Sequence, residues 1–61
     1  LFEKQQFYIR TQSGDVILAE IYEDHGTVAV LIGDRIRINL DSDSAFNLAE
    51  AILITANNLE N

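Results

Sequence analysis

The sequence has no cysteine, no methionine and one histidine, and only four of its 61 residues are basic. Without cysteine there is no disulfide and no thiolate metal site. With His25 as the sole imidazole, a zinc site built from one chain is not expected, and no metal or other cofactor is. The basic residues are Lys4, Arg10, Arg35 and Arg37, set against ten acidic ones, for a net charge of −6. Such a surface repels phosphate backbones and anionic head groups, so neither general nucleic-acid binding nor membrane binding is expected. No apolar run is long enough to span a bilayer and no signal-peptide pattern is present, which makes a cytoplasmic location the expectation. Because methionine is missing, the natural start of the chain is expected to lie outside these residues.

What is present is room for one domain. A chain of this length buries only about 60% of the surface its unfolded form exposes, so a monomeric core is marginal. Domains this small usually add a disulfide, a metal or a second subunit. With the first two removed, self-association into a homodimer or higher oligomer is the expected support.

The hydrophobic period changes at Leu40-Asp41. Before it, apolar residues alternate and the runs are broken by glycine-containing turns; after it, they recur at three and four. The pattern predicts strands over about 5–11, 16–23, 27–32 and 35–40, then a helix over about 43–58. Gln12-Ser13-Gly14-Asp15, Asp24-His25-Gly26 and Gly33-Asp34 are the expected turns, the last a two-residue loop. Asp41-Ser42-Asp43-Ser44 supplies caps and negative charge for the helix start. The fold class is α+β: a four-stranded antiparallel meander with one C-terminal helix packed across one face. The helix stripe of Ala45, Leu48, Ala49, Ile52, Ala56 and Leu59 should meet Phe7, Ile17, Val30, Ile36 and Ile38. This order resembles, in topology alone, the single-strand-binding transcription coactivators. Those proteins need a basic groove, which an acidic chain does not offer, and shared topology does not carry function.

Two surfaces are left over. Phe46, Leu53 and Ile54 fall outside the helix stripe and are the expected oligomer interface. Replacing Leu53 and Ile54 by Asp is expected to leave a folded monomer. On the outer sheet face, Tyr8, Arg10, Tyr22, Arg35 and Arg37 are the expected ligand-binding residues. Arginine forks suit phosphate or carboxylate, and tyrosine supplies a ring or a hydroxyl. Leu18 and Leu31 on that face suit a protein contact. Arg10 stands on the opposite edge strand from Arg35 and Arg37, so convergence requires a second subunit or a curved sheet.

No catalytic constellation is legible. His25 reads as a solvated turn residue. Asp41-x-Asp43 begins like a calcium loop, but Ala45 offers no ligand oxygen and Phe46 stands where that loop needs glycine. The three glycines sit one per hairpin and form no phosphate cradle. The expectation is a non-enzymatic, homo-oligomeric binding module that recognises a protein or a small anionic ligand through the exposed sheet face. Two sharper forms follow from it. One sequesters a signalling nucleotide, in the manner of compact virus-encoded counter-defence proteins. The other uses the acidic surface to block a nucleic-acid-binding protein.

Overall fold

The structure, a computed structural model, describes residues 3–61. Four strands precede one helix: β1 Gln5–Arg10, β2 Val16–Asp24, β3 Thr27–Ile32, β4 Ile36–Leu40 and α1 Ser42–Glu60. The strands form one antiparallel sheet in the order β1-β2-β3-β4, giving the ββββα arrangement that the change of period predicts. Meander order follows from the short connections, which leave each strand no neighbour but the next.

Each turn has its own chemistry. Thr11 donates its amide to the Asp15 carbonyl at 2.9 Å, and its hydroxyl accepts the Asp15 amide at 3.0 Å, closing the first loop. Asp24 pairs directly with Thr27, so His25 and Gly26 alone make the second. Both have positive φ, 50° and 81°, the mirror-image turn that matches the twist of paired strands. The third loop is one residue longer than its Gly33-Asp34 signal suggests, because Ile32 pairs with Ile36 and Arg35 joins the turn. Gly33 is doubly constrained: its φ is +61°, and a Cβ there would stand 3.2 Å from Ile17 Cγ2.

The helix starts where Asp41 takes an extended conformation and its Oδ1 accepts the Ser44 amide at 2.8 Å. That bond holds the Asp41 carboxyl below its ordinary value. The helix is set against β3 and β4. Its engagement is shallow. Ala45 is half-buried, but exposure then climbs along the stripe, from 43% at Leu48 to 61% at Ile52 and 84% at Leu59. The helix therefore meets the sheet at its base and diverges from it. A radius of gyration of 12.8 Å agrees, since a compact chain of this length has about 10.5 Å. No helix among the described residues is long and apolar enough to cross a membrane.

Only Ala19 and Ala29 are buried among the described residues. Ala19 lies between Phe7 and Ile32 in register, Ala29 between Tyr22 and Asn39. These two rows face opposite sides of the sheet. Each alanine is shielded by taller neighbours on its own surface, and no core forms beneath a covering layer. Phe7, Ile36 and Ile38, on the face expected to lie under the helix, remain at least 41% exposed.

Candidate functional site

The outer sheet face carries the polar chemistry of the molecule, in two clusters. The first is centred on Asp24 at the end of β2. Its carboxylate accepts from Arg37 Nη2 at 2.8 Å, lies 2.6 Å from His25 Nδ1 and takes a weaker contact from Asn39 Nδ2 at 3.4 Å. Asn39 also donates to the Thr27 hydroxyl at 2.9 Å, which in turn donates to the Asp24 carbonyl at 2.6 Å. The hydrogen bond from His25 is the main reason the Asp24 carboxyl is held below its ordinary value. Partial burial opposes it, while Asn39 and the positive charge of Arg37 add to it.

The second cluster surrounds Glu20. Gln6 Nε2 donates to it at 2.5 Å and Lys4 Nζ stands 3.6 Å away. The same ammonium lies 5.2 Å from the centroid of the Tyr22 ring, a cation–π distance. The sequence pattern does not single out Lys4. Only the register of β1 on β2 places it, because Gln5 pairs with Ile21 and brings the residue before it alongside Tyr22.

The five residues expected to form a binding site are thus divided. Tyr22 lies under Lys4, and Arg37 is tied to Asp24. Tyr8 and Arg10 stand toward the other end, in register with Leu18 and Val16. Leu18 and Tyr22 are four residues apart on β2, about 13 Å along a strand. Arg35, expected beside Arg37, stands in the turn and borders an open depression with Ile17, Ile32 and Ile36, which belong to the opposite face. The extra loop residue takes Arg35 out of the strand alternation. Among the described residues, neither Arg10 nor Arg35 has a carboxylate within ion-pair distance.

No known protein family, curated protein or solved structure matches the chain. At the β1–β2 end, Tyr8 is 73% exposed, Val16 60% and Leu18 42%, next to Arg10. Tyrosine and arginine are enriched at the centres of protein interfaces, and here they stand beside the exposed aliphatic side chains of Val16 and Leu18. Two surface depressions are open and mainly apolar. One is lined by Ala51, Ile52, Thr55, Ala56 and Leu59 of the helix; the other has Arg35 as its one basic wall. Among the described residues, no group of three or more His, Cys, Asp or Glu is placed to hold a metal ion.

Proposed function

We propose that the chain is a non-catalytic, homo-oligomeric module that binds another protein through the β1–β2 end of its outer sheet face. Tyr8 and Arg10 are the anchors, and Leu18 and Val16 the apolar floor. The observation that carries this reading is the exposed Tyr8–Leu18 pair beside an arginine with no carboxylate within ion-pair distance among the described residues. The partner presents a carboxylate to Arg10 and an apolar rim to Tyr8. Arg37 and Tyr22 hold the sheet face together and do not touch the partner.

The test is affinity capture from the cells that make the protein, followed by intact-mass analysis. A stoichiometric protein partner should be retained by the parent chain and by Arg37→Ala, and lost from Tyr8→Ala/Arg10→Glu. Retention by the double variant contradicts the assignment.

A small anionic ligand, such as a signalling nucleotide, is the second reading. What supports it is that both Arg10 and Arg35 lack carboxylate partners among the described residues. They lie toward different faces of one chain, so a clamp of this kind needs Arg10 of one copy and Arg35 of another. Extra mass of a few hundred daltons on the purified oligomer, lost from Arg35→Glu, favours it over protein recognition.

A further inference from the structure

Ala45, Leu48, Ile52, Thr55 and Leu59 succeed one another at spacings of three and four, the seam of a two-stranded coiled coil. None of them is buried, and Leu48, Ile52 and Leu59 are all more than 40% exposed. Ile52, Thr55, Ala56 and Leu59 also border the open depression on the helix surface. Those four stand at i, i+3, i+4 and i+7, the set that receives a side chain from a facing helix.

The occupant is set by area. The chain exposes 5401 Å², whereas a compact monomer of its 6.9 kDa mass exposes about 4,000 Å². The excess of about 1,400 Å² is more than the roughly 800 Å² that each partner buries in a standard interface. It falls in the range of obligate dimers. A second copy answers it because the chain carries both halves of the contact: an apolar helix end and an apolar sheet face, each uncovered.

We propose that two copies pair through antiparallel helices along this seam, with Ile52 on the two-fold axis, and that the pairing supplies the core one chain lacks. Ile52 is seven residues from Ala45 and seven from Leu59, so it is the midpoint of the seam. Antiparallel pairing brings Leu59, 84% exposed, to the base of the other helix, beside β4 with its exposed Ile36 and Ile38. It opposes the two helix dipoles and moves Glu60 from the negative end of its own helix to the positive end of the other. Parallel pairing would place both far ends together, away from either sheet. Phe46, Leu53 and Ile54, the interface expected from sequence, lie more than about 100° around the helix from this seam and stay outside the pairing.

The inference rests on the oligomeric part of the proposed function, and the experiment separates the two. The chain has no cysteine, so single-cysteine variants report without background. A disulfide forms only where Cα atoms approach within about 4.4–6.8 Å. Under mild oxidation, most of Ile52→Cys should run at twice the chain mass and little of Leu59→Cys should. Ala45→Cys mixed with Leu59→Cys should give the mixed disulfide. That mixture tests the same pairing if Ile52→Cys does not fold. Strong self-linking of Leu59→Cys overturns the antiparallel seam. A dimer by sedimentation in which neither Ile52→Cys nor the mixture links overturns helix pairing while leaving the oligomer intact. A monomeric parent chain removes the oligomer as well.

Discussion

Arg37 places its Nη2 2.8 Å from Asp24 Oδ2, linking β4 to the far end of β2. To do so the side chain crosses β3, the strand that carries the fully buried Ala29. One arm thus shields a small residue and joins non-adjacent strands, on a face with no covering layer. Arg37→Ala should expose that part of the sheet and speed amide exchange at Ala29 relative to Ala19. Equal exchange at both sites in parent and variant would contradict the shielding role.

Acid should weaken the fold through two aspartates. Asp24 and Asp41 are both held below the ordinary carboxyl value of 3.8. A group with a depressed folded pKa contributes stability that is full above its unfolded value and is lost as pH falls through the folded one. The thermal midpoint should therefore hold steady from neutral pH to about 5 and fall below about 4. Asp24→Asn combined with Asp41→Asn should flatten that acid limb, as followed by circular dichroism.

The cap at Asp41 can be separated from its charge. Asn accepts the Ser44 amide as well as Asp does, whereas Ala does not. Asp41→Ala should lower the thermal midpoint by several degrees and reduce helix content, and Asp41→Asn at pH 7 should do little. An equal loss in both variants would assign the effect to charge at the helix start.

The second hairpin turn holds a residue that does not suit it. His25 has φ 50° and a side chain 97% exposed. An ordinary L-residue in that conformation costs about 1 kcal/mol, and Asn tolerates it better. His25→Asn should relax that conformation but forfeit the hydrogen bond to Asp24, for a net change within about 0.5 kcal/mol. Gly26→Ala should destabilise by about 1 kcal/mol through backbone strain alone, since the added Cβ meets nothing within 4 Å. Denaturant midpoints check both.

The strands and the helix were legible because burial has a period, and period is a property of sequence. Val16–Asp24 and Ile36–Leu40 alternate, Ser42–Glu60 does not, and short turns fix a meander. The depth of helix packing was not legible. The stripe from Ala45 to Leu59 reads the same whether it covers its own sheet or a second copy, because alternation marks a face as apolar without naming what covers it. The site was legible in composition and not in arrangement. Tyr8 and Arg10 share a face by strand alternation and gain Leu18 and Val16 through register with β2, while one extra residue in the third loop turns Arg35 toward the other face. The Arg37–Asp24 and Lys4–Tyr22 contacts join positions far apart in sequence and depend on register that composition does not reveal.

The near-absence of buried side chains alters what interface variants should do. Only Ala19 and Ala29 are buried among the described residues, so under the proposed pairing a separated chain should lose its fold. Leu53→Asp/Ile54→Asp, expected from sequence to leave a folded monomer, should instead leave the dimer folded and assembled, because both residues stand away from the seam. Ile52→Asp should lose structure along with assembly, and Asn47→Asp, on the helix side away from the seam, should do neither. A well-folded monomer of Ile52→Asp would contradict the coupling.

The most direct measurement is thermal unfolding of the parent chain across a hundredfold range of concentration, with sedimentation equilibrium on the same samples. If two copies build one core, the midpoint rises with concentration, and dilution removes dimer and secondary structure together. A folded species of 6.9 kDa with a midpoint independent of concentration would show that one chain suffices, and would contradict the shared core.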